Sequence, residues 1–365
     1  MNITEFKRAQ LEAVARHREE LRRSPRLRWL FFEITDRCNL RCRHCGSSCT
    51  TEGQLLSVEA IKQVLRNVRE HSPDERPTIC LTGGEPMLHP DFRTIAEGVR
   101  DLGFAWGMTT NATLIDEAEA ERLKEAGMST ISVSLDGLEA SHDALRQQKG
   151  AFQLALRGLK ALQKAGFQPQ VTTVMHRENR EELEPLFQLL CDLGIRSWRP
   201  INMEPIGRAC ESGGLLLRPE QFAELLHYIR EKRFDRSCDM EVTFGCSHYL
   251  GTGTERMVRD HYFLCGAGIQ VAGIRSNGDI SACLDVEDRR ELVQGNIYRD
   301  EFWEVWSHGF QAFRRDRTAD CEKCRDCSER FLCGGDSTHT WDFDRKEPKL
   351  CWRDYGEYLQ EPHLI

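Results

Sequence analysis

Three cysteines fall within eight residues, Cys38-Asn-Leu-Arg-Cys42-Arg-His-Cys45, in a C-x3-C-x2-C spacing. Three thiolates can hold three irons of a [4Fe–4S] cube and leave the fourth without a protein ligand. An open metal position is what a catalytic site needs, whereas a structural site fills all its positions. The spacing by itself also suits a zinc knuckle. A second group lies far along the chain: Cys265-x12-Gly278-x4-Cys283, then Cys321-x2-Cys324-x2-Cys327-x5-Cys333, then Cys351. These seven cysteines exceed the four that one tetrahedral zinc takes, so two zincs or iron–sulfur clusters are needed to use them all.

The chain holds 16 cysteines in 365 residues. In a chain of this size such clustered cysteines point to metal or cluster ligands rather than to a disulfide framework. Cys49, Cys80, Cys191, Cys210 and Cys238 have no ligand spacing and read as small core or surface residues.

The elements that must position the first group follow a β-α rhythm. Strands are expected at Trp29–Thr35, Thr78–Thr82, Phe104–Thr109, Thr130–Leu135, Gln168–Val174 and Ile195–Ile201. Helices between them show apolar residues at helical spacing, such as Val58, Ile61, Val64, Leu65 and Val68 after the N-cap Ser57. Asn179 is expected to cap a later helix, and Pro219–Glu231 to form the sixth. Six such units with short loops imply an α/β fold, a partial (β/α)6 TIM-type barrel with a parallel sheet. Functional groups then belong at the C-terminal strand ends. The Cys38–Cys45 loop follows the first strand. Gly83-Gly84-Glu85-Pro86 follows the second, Thr110 and Asn111 the third, and Ser134, Asp136 and Gly137 the fourth. Glycines let backbone approach a ligand closely, and a carboxylate can receive an ammonium. After about residue 236 helical periodicity fades, and glycines, cysteines and short turns take over. A hairpin is expected at Gln270–Ile274 and Ile280–Cys283, turning at Asn277-Gly278. The expected organisation is an N-terminal helical extension at 1–27, a partial barrel at 28–235 and a small Cys-rich domain at 236–365.

The formal net charge of -8 disfavours nucleic acid as a partner. The basic residues Arg22, Arg23, Arg26 and Arg28 read as a solvated helix end. No apolar run reaches membrane-spanning length, and the start has no apolar signal core, so a cytoplasmic protein is expected.

The cysteine triplet, the Gly-Gly-Glu-Pro segment, and the Thr-Asn and Ser-Leu-Asp-Gly strand ends resemble the radical S-adenosylmethionine (SAM) superfamily. The resemblance implies reductive cleavage of SAM to a 5′-deoxyadenosyl radical by a [4Fe–4S] cluster on Cys38, Cys42 and Cys45. It implies Gly83, Gly84 and Glu85 near the methionine amino group, Asn111 and Ser134 near the ribose or carboxylate, and Arg146 pairing that carboxylate. His44 departs from the family's usual aromatic residue.

The later cysteines resemble the SPASM domain, which carries auxiliary iron–sulfur clusters. It implies an outer cluster on Cys324, Cys327, Cys333 and Cys351. Ser337 stands where the pattern has a cysteine of the inner cluster, which leaves Cys265 and Cys283 to be completed by Cys321, Cys246 or Asp336. Relatives of this type mostly modify peptides. The expected substrate is therefore a ribosomally made peptide, held by the barrel or a separate leader-binding protein, with a flavodoxin or ferredoxin as reductant. The alternatives are a small molecule such as a tetrapyrrole or redox-cofactor precursor, a sulfatase-maturing role, and a non-catalytic iron–sulfur scaffold or electron carrier. Leu284 follows Cys283 where sulfatase-maturing relatives carry an aspartate base. Asp285, one residue on, is the candidate catalytic residue.

Overall fold

A computed structural model describes residues 3–47, 49–245 and 248–359. Six parallel strands form its centre: β1 (Trp29–Thr35), β2 (Thr78–Gly83), β3 (Trp106–Thr110), β4 (Thr130–Ser134), β5 (Gln170–Met175) and β6 (Ser197–Asn202). They lie in sequence order, as right-handed β-α crossovers require. The sheet is an open, mixed α/β arrangement, not a closed barrel. Its strands alternate, against the fully buried runs usual in parallel sheets. In β4, Ile131 and Val133 are buried while Thr130, Ser132 and Ser134 are not. One face packs on helices, with Leu30, Phe32, Ile79, Leu81, Trp106 and Trp198 in the core. The other lines a lumen of about 800 Å³, mixed polar and apolar, that includes Phe31, Cys80, Ser132, Gln170 and Arg199.

Helices α1 (Ile3–Arg23), α2 (Val58–His71), α3 (Phe92–Asp101), α4 (Glu117–Glu125), α5 (Glu139–Arg146), α6 (Ala151–Lys164) and α7 (Leu183–Asp192) precede a last long helix, Pro219–Phe234. Ser57 caps α2, its hydroxyl accepting from Ala60 N. Asn179 does not cap α7. Its side chain instead donates to the carbonyls of Asp136 and Val174, and a 3-10 turn, Arg180–Glu182, leads into the helix. Helix α5 was not foreseen: its short length and mixed composition give little periodicity to read.

The sheet continues past residue 236. Strand β7 (Glu241–Val242) joins β6 in parallel, and β8 (Val271–Ile274) joins β1 on the other side. The expected hairpin forms between β8 and β9 (Asp279–Ser281), with Gly278 at φ 87° in the turn. Strand β10 (Gly295–Asn296) closes that edge, giving ten strands. Helix α1 docks on the C-terminal region. Leu11 and Ala15 pack with Tyr249, Phe263 and Leu332, and Arg18 donates to the carbonyls of Leu332 and Cys333. The basic end of α1 is only partly solvated, since Arg22 pairs Glu19 at 2.6 Å. No helix among the described residues is long and apolar enough to cross a membrane.

Candidate functional site

The C-terminal strand ends converge around the loop that follows β1. The glycines after β2 serve this convergence directly. Gly84 N donates to Thr35 O at 2.9 Å and Glu85 N to Arg37 O at 2.8 Å, so the segment is laid against the start of the cysteine loop. A Cβ on Gly84 would lie 2.2 Å from Arg37 O and 2.9 Å from Cys38 Cβ. Gly83 has φ 150°, and a Cβ there would meet Thr35 O at 2.1 Å. These glycines therefore admit the cysteine loop itself, a closer approach than the ligand contact expected from sequence.

Glu85 is fully buried. Its Oε1 accepts from Thr110 Oγ1 at 2.8 Å and its Oε2 from Asn111 N at 2.9 Å. Burial pushes its carboxyl up to about 7, against these hydrogen bonds. Asn111 Nδ2 donates to Asn39 Oδ1 at 2.9 Å, and Asn39 Nδ2 to Thr113 Oγ1 at 2.8 Å. The end of β3 thus fastens both the Gly-Gly-Glu segment and the cysteine loop. Ser134 ends β4, half-buried.

Asp136 and Arg146 are buried together. Arg146 approaches Asp136 Oδ2 with Nη2 at 2.6 Å and Nε at 2.7 Å, and its Nη1 lies 3.7 Å from Cys42 Sγ. Burial raises the Asp136 carboxyl, but Arg146, His44, His142 and the Val174 N–H together outweigh it and hold the group down to about 2. The guanidinium expected to meet a SAM carboxylate thus already has a carboxylate partner and a thiol. Arg208 holds the other side of the loop, Nε donating to Cys42 O at 2.8 Å. His44 is held down to about 4 by burial, with Nε2 3.8 Å from Asp136.

The donor set suits an iron–sulfur cluster. Cys38, Cys42 and Cys45 pack around Leu40 and Ala151, and Cys38 Sγ accepts from Leu40 N at 3.4 Å. Thiolates at cluster corners are commonly met by such backbone N–H groups and by nearby cations, here Arg146 and Arg208. Among the described residues no three Cys, His, Asp or Glu converge to hold a single ion. Cys49, read as unrelated, lies 3.9 Å from Cys45, and its thiol hydrogen bond brings Cys45 down to about 6.

In the C-terminal region Cys324 N donates to Cys321 O at 3.2 Å and Cys327 N to Cys324 O at 3.1 Å, and burial together with the Cys321, Cys351 and Cys327 thiols pushes the Cys324 thiol up. Cys333 Sγ accepts from Asp336 N at 3.1 Å, and Cys265 Sγ from Thr338 N at 3.4 Å. The Arg317 charge and Thr338 pull the half-buried Cys265 thiol below its ordinary value against the opposing effect of burial. Cys283 Sγ faces Asp285 at 3.8 Å. Cys321 is thus linked through the backbone to Cys324 of the outer set, and Cys246 lies outside the described residues. Cys191 and Cys238 are joined in a disulfide, which their spacing of 47 residues did not suggest. Cys80 lines the lumen and Cys210 is exposed.

A cluster that sequence reasoning missed lies between the two cysteine regions. Glu204, just past β6, is held by His339 Nε2 at 2.8 Å and His248 Nε2 at 3.2 Å. His248 Nδ1 lies 3.8 Å from Asp336. Against burial, the Glu204 carboxylate raises His339 to about 10, and Asp336 and Glu204 raise His248 to about 9. Glu204 and His339 line a cavity of about 210 Å³ with His44, Arg199, Asn202 and Asp285. Polar residues past a strand end signal a site for β6 as for β1 to β4, and that signal could have found Glu204. Nothing local marks His339.

Residues 32–190 match the family model of the radical SAM superfamily, and residues 265–328 that of an iron–sulfur cluster-binding domain, SPASM. The chain is 30% identical over 334 residues to an AdoMet-dependent heme synthase of Oleidesulfovibrio alaskensis, covering 86% of this chain and 83% of that protein. It is 34% identical over 331 residues to an Fe-coproporphyrin III synthase of Methanosarcina barkeri, covering 83% and 81%. It is 29% identical over 317 residues to the mycofactocin maturase MftC of Mycolicibacterium smegmatis, covering 84% and 76%. Among solved structures it shares the fold of anSMEcpe with bound AdoMet and Cp18Cys peptide, with TM-score 0.71, 19% identity, and coverage of 93% and 98%. Streptococcus suis SuiB bound to precursor peptide SuiA is also similar, with TM-score 0.67, 19% identity, and coverage of 85% and 72%. The chain belongs to the radical SAM superfamily and is a radical SAM enzyme with a SPASM-type C-terminal region. Its cofactors are accordingly a SAM-binding [4Fe–4S] cluster and auxiliary iron–sulfur clusters.

Proposed function

We propose that this enzyme acts on a tetrapyrrole bearing carboxylate side chains, the second of the two substrate classes expected from sequence. The observation that carries this reading is near-full-length similarity, at 30% and 34% identity, to a heme synthase and an Fe-coproporphyrin III synthase. The peptide reading stands second and is favoured by the similarity to MftC.

In this reading Cys38, Cys42 and Cys45 hold the cluster that, with SAM, supplies a 5′-deoxyadenosyl radical able to take hydrogen from an unactivated C–H bond. Gly83, Gly84, Glu85, Asn111 and Ser134 form the SAM side of the pocket. Glu85 fixes Thr110 and Asn111, and its buried carboxylate can take an ammonium in exchange for its lost solvation. Arg146 neutralises Asp136 and faces the Cys42 thiol, where it opposes the burial that raises that thiol. Cys321, Cys324, Cys327, Cys333 and Cys351 form the outer auxiliary ligand pool, and Cys265 and Cys283 the inner one. Residues 28–235 act as the radical domain, 236–365 as the auxiliary one and 1–27 as a brace between them. A reductant of flavodoxin or ferredoxin type supplies the electron.

The test is anaerobic turnover with SAM, dithionite and iron-coproporphyrin III, followed by mass spectrometry. Loss of carboxyl groups from the porphyrin, in step with 5′-deoxyadenosine, is expected. An unchanged porphyrin under conditions that modify a peptide encoded beside this gene would move the assignment to the peptide class.

A further inference from the structure

The cavity between the two cysteine regions holds polar groups that the SAM and cluster assignments leave unused. Arg199 projects from the middle of β6, and its buried Nε has no hydrogen-bond partner. No described carboxylate forms an ion pair with this guanidinium, and the other walls mix polar groups with Val174, Ile201, Met203 and Ile206. Asn202 is 6% exposed, and its Oδ1 is likewise without a partner, as is His44 Nδ1. Arg199 is half-buried, and a buried Nε–H without a partner is left unsatisfied until an acceptor such as a carboxylate meets it.

We propose that this cavity is a carboxylate-recognition site and that Arg199 pairs a propionate side arm of the substrate. The inference rests on the tetrapyrrole reading and names the group that reading would seat here. The volume, about 210 Å³, lies below the roughly 300 Å³ at which whole-ligand clefts begin. It therefore takes a side arm, with the macrocycle at the mouth. The two carboxylates on the wall do not spoil the site. Glu204 Oε2 meets His339 Nε2 at 2.8 Å, and its Oε1 lies 3.2 Å from His248 Nε2 without a hydrogen bond, so two imidazoles face this carboxylate. Asp285 is exposed at the rim beside Cys283. The position suits the chemistry: the cavity touches His44, between cluster ligands on one side, and His339, beyond Cys265 and Thr338, on the other. A side arm seated here lies between the radical-generating site and the auxiliary region.

The turn Asp336–His339 makes this arrangement possible. In four residues it directs Asp336 N to Cys333 Sγ, Thr338 N to Cys265 Sγ, and His339 to Glu204. One turn thus couples the auxiliary thiols to the cavity wall, in the segment where Ser337 replaces the cysteine of the family pattern.

Coproporphyrin III and its methyl ester, which masks the propionates, are titrated by fluorescence into anaerobically reconstituted enzyme with SAM. Wild type is expected to favour the acid by roughly tenfold or more, the scale of one charge-assisted pair. Arg199→Gln should lose that preference, and Arg199→Lys should keep part of it, while iron content and SAM affinity stay at wild-type levels. An undiminished acid preference in Arg199→Gln would overturn the site. So would a collapse of its SAM affinity, which would make Arg199 the partner of the SAM carboxylate. A separate arm reads phenylglyoxal labelling of Arg199 with and without glutarate. If wild type binds neither porphyrin form but glutarate shields Arg199, the tetrapyrrole reading fails and the carboxylate site stands. Without shielding, the site fails too.

Discussion

Replacing Glu204 with Gln removes the main charge that holds His339 protonated and one of the two, with Asp336, that hold His248 protonated. The rise of His339 from 6.5 to about 10 corresponds to about 5 kcal/mol of coupling. The loss expected when one partner of a buried ion pair is deleted is about 3–5 kcal/mol. Both figures describe the same contact with Glu204, so they are not added, and the Glu204–His248 contact is not independent of it. The variant should therefore unfold with about 3–5 kcal/mol less free energy at pH 6, a large fraction of the stability of a typical domain. The pH dependence has a definite sign. A histidine whose folded value is raised contributes stability that is complete below its unfolded value of 6.5. That stability is lost as pH rises through the folded value. With His248 near 9 and His339 near 10, wild type should lose stability between about pH 6.5 and 10. Glu204→Gln should keep only the shallower slope that Asp336 gives through His248, so the two curves converge near pH 10. Urea unfolding of the reconstituted enzymes across this range, under anaerobic conditions, measures both curves. Parallel curves, or a flat wild type, would refute the coupling.

Changing Cys38, Cys42 and Cys45 together to Ala should remove about four irons and abolish 5′-deoxyadenosine release while the C-terminal iron remains. Stoichiometric zinc with no iron uptake in wild type would contradict the cluster assignment. Glu85→Ala should weaken SAM binding by about tenfold or more, read by equilibrium dialysis, because an ammonium loses a buried charged partner. An unchanged dissociation constant would take Glu85 out of the SAM pocket. Gly84→Ala drives a Cβ to 2.2 Å from Arg37 O, so iron retention and thermal stability should both fall. Normal iron content in that variant would mean the cysteine loop yields more easily than its geometry implies. Cys327→Ala should leave 5′-deoxyadenosine release intact while modified substrate falls, since a substrate radical must still lose an electron. Undiminished product would leave Cys327 a structural residue.

The strand–helix alternation and the cysteine spacings carried most of the fold and the identity of the radical site. Both are local signals: apolar periodicity reports which face an element buries, and C-x3-C-x2-C places three thiols within one loop whatever surrounds it. Ser57 as a cap and Gly278 in its turn were readable for the same reason. What sequence could not supply were contacts set by distant parts of the chain. The pairing of Arg146 with Asp136 depends on α5 folding back under the cysteine loop. Cys191 meets Cys238 because β7 joins β6 at the sheet's edge. Asn179 serves two carbonyls at the ends of other strands instead of its own helix.

The sequence by itself determined the chemistry available here: thiols at cluster spacing, glycines and polar groups at successive strand ends, and a second thiol-rich region. Tertiary structure alone decided where those groups meet. It docked α1 onto residues 331–333 and brought Arg199, Glu204 and His339 together around one cavity. The physical reason is range. Helix and strand patterns and ligand spacings are written within a few residues, whereas Glu204 and His339 are 135 positions apart in the chain and adjacent only because the sheet brings their loops to one end.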